Sequence, residues 1–215
     1  MNKINELDLH NWKNLTDIWT DSLWLIDKRD NEHGHKNGFW GNFVPQIPYQ
    51  FIMRYTKAGD WVLDPFAGGG TTLIEARRLN RNALGFEINQ DTCLQTQQAL
   101  DNAARFLDEG CKAEASLVCG DSLKINYMQE LNNHNLKEVQ LVILHPPYWD
   151  IIKFGQDEDN LSNSKTLVDF IDKFQLIIKK SVEVLAKGRY LVIVIGDKYA
   201  NGEIVPLGFY AMQAA

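Results

Sequence analysis

The chain has 215 residues, 45% of them hydrophobic and 23% charged, and a net charge of −6. That is ordinary globular composition, enough for one large domain and far from disorder, and its acidity argues against autonomous tight binding to nucleic acid through a broad basic surface. No run of about 18 apolar residues is present, so no helical membrane span is indicated, and the polar start MNKINELDLHNWKN is unlike a secretory signal. Cys93, Cys111 and Cys119 are odd in number and lack CxxC spacing, which predicts reduced thiols in a cytoplasmic protein.

Residues 1–41 read as a mostly irregular N-terminal arm, with Trp12, Trp19, Trp24 and Trp40 expected to pack against the body rather than serve as stacking platforms for bases. The stretch RDNEHGHKNGFWGN has no period and reads as a loop. His33 and His35 have no third Cys or His nearby, so they read as solvated rather than metal-binding. The segment PQIPYQFIMRYT places Ile47, Phe51, Ile52 and Tyr55 at helical spacing, with Pro48 where a first turn tolerates it.

Residues 42–215 then alternate short apolar runs with helical patterns. The runs are WVLDPF, NALGFEI, SLVCGD, QLVILHPP and RYLVIVIGD, and the clearest helix is FIDKFQLIIKKSVEVLAKG. Such alternation predicts βαβ units in an α/β, doubly wound, mostly parallel sheet, and near-continuous apolar runs fit strands covered on both faces. Ligands bind at the carboxyl ends of such strands. Here those ends carry Asp64, Glu87, Gly120-Asp121, His145-Pro146-Pro147-Tyr148 and Gly196-Asp197.

DPFAGGGTT joins the first strand to a helix. Gly68, Gly69 and Gly70 allow positive φ and close approach of a ligand to the backbone, and the helix starting near Thr71 offers free N–H groups. Glu87, at the end of the second strand, has the spacing of an acid that grips ribose hydroxyls. Together they predict a nucleoside-containing cofactor. A dinucleotide fingerprint wants a third glycine where Leu73 stands, and no Gly-Lys-Ser/Thr marks a nucleotide-triphosphate loop.

VLDPFAGGGTT resembles the S-adenosylmethionine loop of the amino-methyltransferases that modify DNA at adenine N6 or cytosine N4, and HPPYW resembles their (D/N/S)PPY motif. The likeness spans roughly Asn42 to Gly208, with both motifs in the family's order. It implies a Rossmann-like methyltransferase core with S-adenosyl-L-methionine as cofactor, DNA as substrate, and site-specific methylation of the restriction-modification kind. By the resemblance, Asp64, Pro65, Phe66, Ala67, Gly68, Gly70, Thr71 and Thr72 hold the methionine part. Glu87 accepts from the ribose, Ile88 packs on the adenine ring, and Asp121 with Ser122 meets the adenine amino group. NFVPQ, Asn42 to Gln46, resembles the segment that closes over the cofactor.

An exocyclic amino group is a poor nucleophile because its lone pair is delocalised into the ring. Two acceptors that take both N–H hydrogens free that lone pair. Pro146 and Pro147 are expected to make rigid, unpaired carbonyls that supply one acceptor, and the first motif position supplies the other. Tyr148 is placed to stack on a flipped base. The family's Asp, Asn or Ser is His145 here. A neutral imidazole has one acceptor nitrogen and a protonated one has none, so activity should fall as pH drops through its titration. The substitution also removes the usual hint of adenine against cytosine.

The acidic GQDEDN, residues 155–160, reads as a solvated loop, and Asp197 as structural or loop-orienting. FYAMQAA reads as the start of a helix. No sixth or seventh strand and no target-recognition domain is visible, which predicts an open fifth strand, completed by a missing C-terminal segment or by a partner chain. Two alternatives remain open, an RNA amino-methyltransferase and a non-catalytic, cofactor-binding subunit of a DNA-modification complex.

Overall fold

The structure, a computed structural model, describes residues 3–35, 43–155 and 158–215. Strands β1 (Trp61–Asp64), β2 (Asn82–Glu87), β3 (Ala115–Cys119), β4 (Val139–Leu144) and β5 (Leu185–Ile193) form a parallel sheet in the order β3-β2-β1-β4-β5. Side chains alternate across each strand, and the two faces are sealed separately. Leu63, Leu84, Phe86, Val142 and Leu144 share a core with Phe170, Phe174 and Ile177 of α5 (Leu167–Glu183) and Leu207 of α6 (Leu207–Ala214). Val62, Ala83, Leu141 and Ile143 join Ile52 of α1 (Gln46–Tyr55), Leu73 of α2 (Thr71–Arg78) and Leu100 of α3 (Gln90–Ala103). Burial on both faces is why the strands read as unbroken apolar runs, with each Leu, Ile or Val worth about 1.5–3 kcal/mol.

β1 pairs with β2 on one side and β4 on the other, so the strand order reverses between β1 and β4. In open α/β sheets a crevice forms outside the carboxyl ends at such a point. The loops after β1 and β4 are the glycine loop and HPPY.

Some expectations need correcting. A short helix, α4 (Tyr127–Asn133), lies between β3 and β4, with the Asn126 side chain accepting from the Gln129 N–H as its N-cap. The stretch after β5 does contain two further strands, β6 (Lys198–Ala200) and β7 (Glu203–Val205), an antiparallel hairpin forming its own sheet. Asn201 and Gly202 both have positive φ, 54° and 83°, the Asn-Gly turn that two-residue hairpins favour. Among the described residues β5 pairs only with β4.

The cysteines are not all reduced. Cys93 and Cys119 form a disulfide and Cys111 is free. The β2–β3 register sets Cys119 opposite Glu87, the chain turns after Glu87 into α3, and the first turns of α3 carry Cys93, with the two Cα atoms 5.9 Å apart. Linear spacing cannot reveal a meeting made by a crossover.

His35 is also not solvated. It is buried, and its Nε2 lies 2.6 Å from Oε1 of Glu75 on α2. Arg78 donates from Nη2 to the other Glu75 oxygen at 2.8 Å. Burial pushes the Glu75 carboxyl up, but the hydrogen bonds from His35 and Arg78 outweigh it and leave it below the usual range. Other parts of the arm are tied down similarly, but Trp12 is exposed rather than packed against the body. Asn5 donates to the Arg54 carbonyl, Gln50 bonds the backbone of Asp17 and Trp19, and Trp24 packs between Trp19 and Phe51. Trp40 and Asn42, Gln156 and Asp157 of GQDEDN, and the expected 41/42 boundary lie outside the described residues.

Replacing Glu75 by Ala strands His35 and Arg78 together. Urea denaturation should show a loss of about 3–5 kcal/mol, as for one partner removed from a buried ion pair. A loss below about 1 kcal/mol would mean that the arm is not held through this carboxylate.

Candidate functional site

At the carboxyl edge the loop after β1 is fixed before α2 begins. The Ala67 N–H donates to the Phe86 carbonyl at 2.9 Å, and the Gly68 N–H donates to Oε2 of Glu87 at 3.1 Å. The Thr96 hydroxyl, from α3, donates to the Gly68 carbonyl at 2.6 Å. Gly70 closes the loop as the left-handed N-cap of α2 (φ 79°), and a Cβ there would stand 2.7 Å from Cγ2 of Thr96. Both the backbone angle and the space require glycine.

Three acids surround this loop. Asp64, only 2% exposed, accepts from the Phe66 N–H at 2.9 Å. Burial pushes its carboxyl up to about 6, against the neighbouring Thr72 hydroxyl and the hydrogen bond from the Phe66 N–H, with the nearby Glu87 charge adding to the rise. Glu87 is raised by burial too, although the Asn89 and Gly68 N–H groups bond its carboxylate. Asp121 accepts from the Leu123 N–H at 2.8 Å. Ser122 spends its hydroxyl on the Pro65 carbonyl, and Lys180 donates to the carbonyls of Ser122 and Leu123. Ser122 therefore holds the glycine loop from the side of β3.

The turn after β4 faces the same space. Leu144 is locked to β5 by the Val194 N–H. His145 lies against Phe43, ring centroids 4.2 Å apart at 21°, and its Nε2 is 3.2 Å from the Tyr148 hydroxyl. Burial holds the His145 imidazole down at about 4, so it is neutral at physiological pH. A Cβ on Gly196 would come within 2.7 Å of the Tyr148 ring, so glycine in the loop after β5 is what admits that ring. The expectation of two unpaired proline carbonyls holds for one only. Trp149, at φ 51°, donates its N–H to the Pro147 carbonyl at 2.9 Å, a three-residue turn. Among the described residues the Pro146 carbonyl accepts no hydrogen bond.

One cavity of about 440 Å³ joins both halves. Asp64, Pro65, Phe66, Ala67, Gly68, Thr71, Thr72, Glu87, Ile88, Asp121, Ser122, His145, Pro146, Pro147 and Tyr148 all line it, whereas Gly70 stands behind the loop as a cap. Sequence reasoning missed Asn89, Thr92, Asn160 and Leu161. Asn89 was findable as an N-cap, since its side chain accepts from the Thr92 N–H three residues on. GQDEDN is not simply solvated, because Asn160 is buried and lines the cavity with Asp159. The charged lining residues are Asp64, Glu87, Asp121 and Asp159, with no Lys or Arg among the described ones. Lys124 pairs with Asp159 and stands 3.8 Å from Asp121. This is a cleft for a cationic or hydroxyl-rich ligand rather than for a phosphate.

Residues 2–98 match the family model described as DNA methylase, and residues 51–181 match the RMKL-like methyltransferase domain. The chain is 35% identical over 71 residues to the type II methyltransferase M.MjaII of Methanocaldococcus jannaschii, covering 33% of this chain and 13% of that one. It is 26% identical over 170 residues to a tRNA (guanine(10)-N2)-dimethyltransferase of the same organism, covering 74% and 46%. The chain thus spans less than half the length of these relatives. In fold it is similar to a SAM-dependent methyltransferase from Agrobacterium tumefaciens, with TM-score 0.50, 16% identity, and 74% and 47% of the two chains covered. Among the described residues no helix is long and apolar enough to cross a membrane, and no group of His, Cys, Asp or Glu could hold a metal ion.

Because the folded protein holds the Asp64 proton to about pH 6 and the unfolded chain releases it near 3.8, its ionisation destabilises the fold. Stability from this group is full below the unfolded value and falls as pH rises to about 6. Asp64→Asn should therefore stabilise the ligand-free protein by about 1–3 kcal/mol at pH 7.5 and leave it unchanged at pH 3.5, read as the difference in thermal midpoint at the two pH values. An equal effect at both would refute the buried charge.

Proposed function

Because this chain belongs to the family of RMKL-like methyltransferase domains, matched over residues 51–181, and residues 2–98 match the DNA methylase model, we propose that it methylates the exocyclic amino group of a DNA base, adenine N6 or cytosine N4. The observation that carries this reading is one cavity bounded by the acid-ringed glycine loop on one side and by His145–Tyr148 on the other.

The donor set fits S-adenosyl-L-methionine. The ligand is cationic at sulfur and at its ammonium, and the charged lining residues are carboxylates. When bound, it supplies an electrophilic methyl group. Asp64 and the loop from Pro65 to Thr72 are assigned to its methionine part. Glu87 gives one lone pair from each oxygen to the Gly68 and Asn89 N–H groups, which leaves others for ribose hydroxyls. Ile88 takes the face of the adenine ring and Asp121 its amino group. Ser122 is assigned to holding Pro65 rather than to contact with the cofactor.

In the proposed reaction the target amino group donates one hydrogen to the Pro146 carbonyl and one to Nδ1 of His145, the tautomer in which Nε2–H donates to the Tyr148 hydroxyl oxygen 3.2 Å away, and Tyr148 stacks on the base. Acceptors at both hydrogens localise the nitrogen lone pair and meet the positive charge that develops on it, and the methylated nitrogen then sheds one proton to water through His145. Pro146 is apt because its carbonyl is rigid and uncommitted, and His145 because burial keeps it uncharged. The 215-residue chain also resembles a tRNA methyltransferase over more of its length than it does M.MjaII, so RNA belongs in the same assay.

Methyl transfer from labelled S-adenosylmethionine to DNA, followed by nucleoside analysis, tests the proposal and reads which base is modified. Cofactor binding without transfer to DNA would overturn it in favour of a cofactor-binding subunit, and transfer to RNA alone in favour of an RNA enzyme.

His145→Ala should lower kcat about 100-fold while changing cofactor affinity little. The wild-type acid limb should fall near pH 4, where the buried imidazole gains its proton and loses its acceptor. His145→Asn should retain activity and lose that limb. A wild-type limb at the ordinary imidazole value would show that His145 is solvated.

A further inference from the structure

His145 has a second partner that the PPY motif does not contain. Phe43, from the segment before α1, lies against the imidazole with centroids 4.2 Å apart and planes 21° from parallel. Tyr148 meets the same ring edge-on at 83° and from its hydroxyl reaches Nε2. One face and one edge of the imidazole are thus occupied, and both rings line the cavity with it.

The geometry points to Phe43 as a positioning residue of the transfer, whose ring sets the plane of the His145 imidazole and keeps water from it, so that the acceptor nitrogen is presented uncharged and in one orientation. This rests on the methyltransferase reading. An imidazole needs such support more than the residues usual at this position. A carboxylate accepts through either oxygen, but a neutral imidazole has a single acceptor nitrogen, and rotation about the Cβ–Cγ bond takes it out of line. Aromatic contact restricts that rotation, and a misplacement of about 1 Å at a reacting centre costs on the order of 100-fold in rate.

The surroundings are consistent with an uncharged ring. Tyr148 is the titratable group in contact with the imidazole, and burial raises its phenol, so it stays protonated. Asp64 and Asp159 line the same cavity, yet burial is the cause that shifts His145 and no charge contributes. Phe43 itself is 7% exposed and belongs to the core formed by α1, α2 and α3. The stack therefore links that core to the reacting edge.

Two substitutions separate the aromatic plane from mere bulk. Phe43→Tyr keeps the plane and should hold kcat within about threefold of wild type, whereas Phe43→Leu keeps apolar volume and should lower kcat about 10–100-fold. Cofactor affinity, titrated separately because Phe43 also lines the cavity, should change by less than the fall in kcat of the Leu variant. Phe43→Ala should also move the His145 ring titration, followed by NMR on the ligand-free protein, upward toward the ordinary value of about 6.5. Equal kcat in Leu and Tyr variants, or a loss of cofactor affinity that accounts for the whole fall in rate, would overturn the proposal. An unmoved His145 midpoint in Phe43→Ala would do the same. If wild type methylates neither DNA nor RNA, the functional reading fails by itself, and the NMR titration alone decides whether Phe43 governs the imidazole.

Discussion

Asp64, Glu87 and Asp121 face one cleft that no described Lys or Arg lines, and most of the site follows from how that charge is tolerated. Lys124 stands 3.8 Å from Asp121, but a buried carboxylate without a cation must be hydrogen-bonded or protonated. Here the backbone supplies the bonds. Phe66, Gly68, Asn89 and Leu123 each point an N–H at one of the three acids. The parallel topology brings this about. Every strand of the sheet ends on the same edge, and helices α2 and α3 start there, so their positive ends face the acids. The compensation is incomplete, since burial still holds Asp64 and Glu87 above the usual carboxylate range. A cationic ligand would relieve this, and a pyrophosphate would worsen it. That argues against the dinucleotide alternative more directly than the missing third glycine at Leu73.

The parts legible in the sequence were those with a local cause. Five apolar runs marked five strands, most plainly β1, β2 and β4, which are buried on both faces, and the acids and prolines at their ends marked the edge. The hidden parts depend on distant segments meeting. Cys93 meets Cys119, His35 meets Glu75, and Thr96 meets the Gly68 carbonyl only after crossovers bring the elements together. The hairpin was a different failure. Its Asn201-Gly202 turn is a strong signal, but strands of three residues are too short to display alternation. The same limit hid α4, where seven residues span under two turns of a period.

The turn after β4 is held from outside itself. Trp149 adopts φ 51°, a region unfavourable for a bulky residue, and such a conformation persists only where its neighbours over-determine it. Trp149 donates from its indole to the Ser164 carbonyl, and Lys198 of β6 lies over its ring while pairing with Asp150. The late hairpin is thus a brace for the motif. By drawing the Pro147 carbonyl into the tight turn, the brace leaves that of Pro146 as the one for a substrate N–H in the proposed reaction.

Histidine at position 145 becomes intelligible against the charge of the cleft. An aspartate there would add another anion to a site that already fails to neutralise Asp64, and like charges at short range drive one another to protonate. A neutral imidazole brings an acceptor without charge, and so leaves the electrostatics for a cation as the other acids set them. What it gives up is redundancy, with one acceptor nitrogen where a carboxylate has two oxygens. The contacts on the ring replace that redundancy with constraint. Phe43 fixes a face, Tyr148 an edge, and Gly196 makes room for Tyr148. In the proposed reaction the acceptor at the first motif position is therefore aimed by its neighbours rather than by a second oxygen.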